Sequence, residues 1–172
     1  MQAIVSHTLR TSDPATLHDV LIARLQALSR SHDQLFNAGA DDADIMAIAH
    51  SQLEPYIAAH PMRLVMQGPT VRLSREAAVP LGLLLHELAT NASKYGSLSG
   101  REGQVTFLWR VIDVDGHRQL RATWTESGGP RIAQQPAKAG FGSYLIDHAL
   151  PGATVERSFL PEGFSCTIAL PL

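Results

Sequence analysis

An α+β fold, with a helical segment leading into an α/β sandwich, is what the sequence predicts, and three observations predict it. Leu17, Leu21, Leu25, Leu28, His32 and Leu35 recur at three- and four-residue intervals, with Val20 beside them, as on a helix with one apolar stripe. Leu81, Leu84, Leu85, Leu88, Ala89 and Ala92 repeat that spacing later in the chain and share one broad apolar arc. Val105, Phe107, Trp109 and Val111 alternate with other residues, as do Leu120, Ala122 and Trp124. Asp115-Gly116 between those two runs is a hairpin signal.

Residues 3–10 read as the end of an earlier helix, so 1–36 forms a helical hairpin remnant, cut short at its front. Ser12 or Asp13 serves as N-cap of the next helix with Pro14 in its first turn, and Asn37-Ala38-Gly39 ends it. A third helix over about 43–58 carries Ile45, Met46, Ala49, Leu53 and Tyr56, with Pro55 late enough to end or kink it. At His60-Pro61 the texture changes. Residues 63–66 and 70–73 read as short strands around Gly68-Pro69. Ser74 then caps the long helix, whose Pro80 lies near its first turns. Residues 143–150 read as helix, and strands over 153–159 and 164–170 flank Pro161-Glu162-Gly163. The expected division is a helical region over 1–58 and a mixed strand-helix domain over 59–172. No internal repeat or low-complexity stretch interrupts it.

Composition narrows the function classes. Hydrophobic residues make up 45% and charged residues 17%, a globular balance rather than a disordered one. A formal charge of −2 leaves no basic footprint for nucleic acid. The single cysteine, Cys166, excludes an internal disulfide framework and a multi-thiolate metal site. No apolar run reaches membrane-spanning length, and MQAIVSHTLR lacks a signal peptide's apolar stretch, so the expected setting is soluble and cytoplasmic.

Three segments carry chemistry. In HELATNASKYG, residues 86–96, Glu87, Asn91 and Lys94 share one helical stripe beside the apolar arc. A carboxylate, an amide and an ammonium one turn apart can hold Mg²⁺ and a polyphosphate; the bland alternative is an amphipathic helix with a solvated edge. In WTESGGP, residues 124–130, a strand ends at Trp124 and Glu126 sits at its exit, with Gly128 and Gly129 just behind. Such a carboxylate accepts a hydrogen bond from an exocyclic amine, and the glycines admit a ligand close to the backbone. Taken alone, it is more often just a strand-to-turn exit with an exposed acid. In GFGSYLIDHAL, residues 140–150, Gly140 and Gly142 precede a helix whose first amides would face an anion, although glycine before a helix is more often only a turn. Residues 131–139, short and polar with Pro136, read as a lid between the last two segments.

In this order the three segments resemble the N, G1 and G2 boxes of the HWE family of bacterial sensor histidine kinases. The family's letters match His86 and the Trp124-x-Glu126 pair, and RLQALSRSHDQL (24–35) and the closing IALPL are also similar to it. The resemblance implies a Bergerat-type α/β sandwich, a mixed sheet with helices on one face, that binds ATP and Mg²⁺. By the same resemblance Asn91 would ligate the ion, Lys94 would contact phosphate, and Glu87 would orient or deprotonate the acceptor imidazole. Glu126 would read the adenine amine, Gly128, Gly129, Gly140 and Gly142 would shape the nucleotide loop, and His86 and Tyr95 would lie beside the pocket. His86 faces away from the Glu87/Asn91 stripe, which equally fits a packing histidine. A response regulator receiver domain is the implied partner, with a possible homodimer through the N-terminal helices.

One part of the family pattern is missing. None of the eight histidines is followed by Arg-x-Lys-Asn, the context of the family's phosphoacceptor. His117-Arg118 continues as Gln-Leu, and Met1 directly precedes the stretch that would follow the acceptor. Autophosphorylation within this chain alone is therefore not expected. Three other readings weaken on comparison, and a fourth stays open. A zinc protease needs a second histidine where Thr90 stands, and a dinucleotide site needs its glycines directly after a strand, which Gly140-x-Gly142 does not supply. A serine kinase of the anti-sigma type lacks the helical hairpin and the Trp-x-Glu pair. A docking or phosphotransfer-like adaptor with a degenerate pocket stays open as the alternative: the missing acceptor histidine argues for it, and the intact Glu87, Asn91, Lys94 and Glu126 argue against it.

Overall fold

A computed structural model of the chain describes residues 17–36, 42–58, 61–132 and 152–172. Helix α1 runs Leu17–Phe36, strand β1 Asp42–Asp44 and helix α2 Ile45–Ile57. A single 3₁₀ turn over Pro61–Arg63 leads into β2, Leu64–Gln67, and β3 follows at Arg72–Ser74. Helix α3 spans Arg75–Lys94, and the strands β4 (Gln104–Val114), β5 (His117–Ser127), β6 (Thr154–Leu160) and β7 (Gly163–Pro171) complete the fold.

The main sheet has the order β2-β4-β5-β7-β6, with β2 parallel to β4 and every other neighbour antiparallel. A parallel pair needs a crossover, and α3 supplies it. Period-two alternation then decides which side faces the helices. In register, Phe107 lies opposite Trp124 and Trp124 opposite Cys166, while Trp109, Ala122 and Ile168 form the next row. All six are buried, on the face that meets Leu81, Leu84, Leu85, Leu88, Ala89 and Ala92 of α3. The apolar arc of the long helix thus packs as its spacing requires. Ile45, Ile48, Ala49 and Leu53 of α2 join the same cluster. The result is a mixed sheet with helices on one face, as expected.

Local chemistry fixes the turns. Asp115 and Gly116 both have positive φ, 54° and 80°, the signature of a two-residue hairpin whose twist matches its strands. The Gly116 amide donates to Asp113 Oδ1 at 2.9 Å. Ser74 occupies the N-cap of α3, as expected, but its side chain makes no capping bond. Gln52, fully buried on α2, donates to the Ala27 carbonyl at 3.3 Å and so ties α1 to α2.

Three element expectations need correcting. The third helix begins at Ile45 rather than 43, because 42–44 pairs as a strand with β3. That pairing is reinforced by Arg72, whose guanidinium meets Asp42 at 2.6 Å, and Asp44 becomes the N-cap, accepting from the Met46 amide. The strands either side of Gly68-Pro69 run 64–67 and 72–74 rather than 63–66 and 70–73, and each pairs elsewhere, β2 with β4 and β3 with β1. Trp109 holds their connection against β4, donating its indole N–H to the Pro69 carbonyl at 2.8 Å, and Gly68 lies where a Cβ would strike that ring. Finally, β5 continues past Trp124 to Ser127. The expected helix ends at 3–10, the caps at 12–14 and 37–39, and the helix at 143–150 lie outside the described residues.

Burial of Cys166 in β7 pushes its thiol up to about 12, so it carries almost no thiolate at neutral pH. Native chain treated with iodoacetamide at about pH 8 should remain unmodified by mass spectrometry and label fully once unfolded in guanidinium. Rapid labelling of the folded chain would contradict the placement.

Candidate nucleotide site

The last two turns of α3 bring the first chemical segment to the edge of the sandwich. Glu87 lies low on the helix with only 9% of its surface exposed, one turn before Asn91 and less than two before Lys94, both of which face solvent. The helix then closes on itself. The amides of Tyr95 and Gly96 both donate to the Asn91 carbonyl, at 2.8 and 3.0 Å. Tyr95 is 76% exposed at this end. His86 points the other way, into the interface with α2. There the Tyr56 hydroxyl lies 3.1 Å from His86 Nδ1 and 2.7 Å from Thr90 Oγ1, a half-buried polar link between the two helices. His86 is thus a packing and bonding histidine.

The second segment reaches the same edge from the sheet. Glu126 lies on the inner face of β5, next to Val105 of β4, and is only 6% exposed. Its carboxylate is held at both oxygens. Trp124, two residues earlier and on the same face, donates its indole N–H to Oε1 at 3.1 Å, and the Ser97 amide donates to Oε2 at 2.9 Å. Burial pushes the carboxyl above its ordinary value, and the N–H groups of Ser97 and Trp124 pull against that rise.

Glycines make this approach possible. A Cβ on Gly96 would collide with Glu126 Oε2 and stand 2.9 Å from the Ala92 Cα. One on Gly129 would sit 2.6 Å from the Ser97 Cα, and one on Gly103 would strike the Ser97 carbonyl. Gly128 has φ +68°, a conformation that side chains disfavour. Arg63 closes the ring of contacts, donating to the Gly103 carbonyl at 2.6 Å and to the Ser97 carbonyl at 2.9 Å.

The end of α3, the loop 95–103 and the turn 126–129 therefore converge. Of the expected site residues, Asn91, Lys94, Tyr95, Glu126, Gly128 and Gly129 lie at this convergence and Glu87 one turn back, while Gly140 and Gly142 lie outside the described residues. Sequence reasoning missed Gly96, Ser97, Gly103 and Arg63. The Gly-Ser-Leu-Ser-Gly run directly after the helix was the available signal. Among the described residues no cluster of three or more His, Cys, Asp or Glu side chains could hold a metal by itself. One exposed amide near one carboxylate suits Mg²⁺ held largely by phosphate oxygens and water. No helix among the described residues is long and apolar enough to cross a membrane.

Gly96→Ala should force the Glu126 carboxylate off the Ser97 amide and destabilise the fold by about 1–3 kcal/mol, read from urea unfolding. A variant as stable as the parent would show that the two groups are not in contact.

Comparison with known proteins agrees with this architecture. The family model described as HWE histidine kinase matches residues 1–70. A blue-light-activated histidine kinase of Brucella anthropi is 36% identical over 176 residues, covering 100% of this chain and 36% of that protein. Its counterpart in Brucella ovis is 37% identical with the same coverage, so the chain spans about a third of the length of these relatives. Among solved structures, the histidine kinase domain of the Erythrobacter litoralis EL346 blue-light activated histidine kinase matches with TM-score 0.62 and 24% identity, over 88% of this chain and 74% of that one. The catalytic domain of histidine kinase ThkA matches with TM-score 0.54 and 15% identity, over 76% and 93%, a likeness of fold. The chain is thus similar to HWE histidine kinases over its first 70 residues and to blue-light-activated histidine kinases along its whole length.

Proposed function

We propose that this chain is the catalytic core of a two-component histidine kinase, binding Mg-ATP at the α3 edge and transferring the γ-phosphoryl group to a histidine. The observation that carries the reading is the convergence of Asn91 and Lys94 at the end of α3 with the Glu126–Gly129 turn of the sheet. Residues 59–172 would form the nucleotide-binding domain and 1–58 the helical region serving phosphotransfer and dimerisation. The setting is cytoplasmic, and the partner is a response regulator receiver domain.

Each residue then has a task that its position allows. The Asn91 side-chain oxygen would ligate Mg²⁺, and the Lys94 ammonium would meet phosphate oxygen as a point charge. Bound Mg²⁺ supplies neutralisation of the charge that the phosphates carry into the transition state. Glu126 would accept from an exocyclic amine of the base, and Gly128 and Gly129 keep the backbone beside it uncovered. Glu87 would orient the acceptor imidazole and take its N–H proton as the new phosphorus–nitrogen bond forms. The bond to the bridging oxygen breaks at the same time and ADP leaves. Catalysis of this kind rests on positioning and charge more than on covalent chemistry by the protein. No histidine of the chain stands in the family's acceptor context, so the acceptor would lie on another segment or another chain. That same observation favours the second reading, a docking adaptor that binds a receiver domain without turning over ATP.

Asn91 is exposed, so its truncation leaves the core untouched. Asn91→Ala should lower Mg²⁺-dependent affinity for a non-hydrolysable ATP analogue by at least about tenfold, with an unchanged circular dichroism spectrum. Equal affinity in the folded variant would overturn the site assignment, and a parent chain that binds no nucleotide would favour the adaptor.

A further inference from the structure

We propose that Trp124 is a positioning residue for base recognition: its indole N–H aims the Glu126 carboxylate, so that the site favours a base bearing an exocyclic amine over one with a carbonyl there. The inference rests on the nucleotide reading above and extends it to a residue with no expected contact with ligand.

The geometry is a chain of fixings that runs outward from the core. Trp124 is fully buried, between Phe107 on one neighbouring strand and Cys166 on the other, so its ring has no freedom to turn. Its N–H holds Glu126 Oε1, while the Ser97 amide holds Oε2. An ionised carboxylate has about four lone-pair sites and no donor. Two are used by these N–H groups, which leaves about two for a further donor on a carboxylate whose orientation those bonds fix. An amine N–H can enter there. A carbonyl oxygen meets only acceptor oxygens and is repelled.

Without the indole N–H, Oε1 loses its partner and the carboxylate can rotate about the remaining bond to Ser97. Phenylalanine at 124 keeps most of the apolar volume and removes only the donor. A purely structural role for Trp124 would weaken all nucleotides alike, whereas a positioning role weakens selectively those that use the carboxylate. Adenosine and inosine nucleotides differ in this group, since inosine presents a carbonyl where adenosine carries its amine.

The test is calorimetric titration of the full chain and of Trp124→Phe with non-hydrolysable ATP and ITP analogues in the presence of Mg²⁺. The unaltered chain should prefer the adenosine analogue by at least about tenfold, and Trp124→Phe should lose most of that preference with little change in affinity for the inosine analogue. A second arm needs no variant. The Trp124 indole proton, followed by NMR in the unaltered chain, should shift on saturation with the adenosine analogue and stay in place with the inosine analogue. An undiminished preference in folded Trp124→Phe, or an indole proton indifferent to the adenosine analogue, would overturn the role of Trp124 and leave the nucleotide reading standing. An unaltered chain that binds neither analogue would overturn both.

Discussion

A buried carboxylate organises this end of the molecule. Glu126 is withdrawn from water between the last residues of β5 and the loop that leaves α3. Removing a carboxylate from water costs several kcal/mol unless donors replace the lost solvent. Here one donor comes from the core and one from the loop: the Trp124 indole and the Ser97 amide. Each charge-assisted bond of this kind is worth about 1.5–3 kcal/mol, enough together to offset much of the penalty. The same two bonds fix the spacing between helix and sheet where the candidate ligand groups project. Conserving that spacing explains the cluster of glycines, because Gly96, Gly103 and Gly129 all stand where a Cβ would push the layers apart.

The rest of the sandwich supports this arrangement without taking part in it. The apolar arc of α3 lies on the rows Phe107-Trp124-Cys166 and Trp109-Ala122-Ile168, so the helix cannot slide without exposing leucine. On its far side α2 is joined to it through Tyr56, His86 and Thr90, and α1 is joined to α2 through Gln52. A displacement of the N-terminal helices would therefore reach Glu87 and Asn91 through α3 itself. His86, Trp124 and Glu126 do related work here. Each holds one element of the fold against another beside the candidate site.

Much of this was legible in the sequence because it depends on periodicity. The apolar arc of α3, the alternation in β4 and β5 and the Asp115-Gly116 turn each follow from local rules, and all occur as read. The β1–β3 ribbon was not legible, since three-residue strands carry no period and their pairing rests on Arg72 reaching Asp42 across thirty residues of chain. The candidate site divides in the same way. The stripe of Glu87, Asn91 and Lys94 is a property of one helix. The clamp of Trp124, Glu126 and Ser97 joins two elements, and its Ser97 donor is a backbone amide, which no side-chain pattern can announce.

The central claim is that one ionised Glu126 carboxylate accepts from both Trp124 and Ser97. The most direct measurement is a pH titration of the ¹H–¹⁵N resonances of the Trp124 indole and the Ser97 amide. Both should lie downfield while the carboxylate is ionised, and protonation should weaken both bonds. As the pH falls, the two signals should move upfield together with a single midpoint above the ordinary glutamate range, because burial raises that carboxyl. Signals that stay in place through the titration, or that move with separate midpoints, would contradict a shared carboxylate clamp.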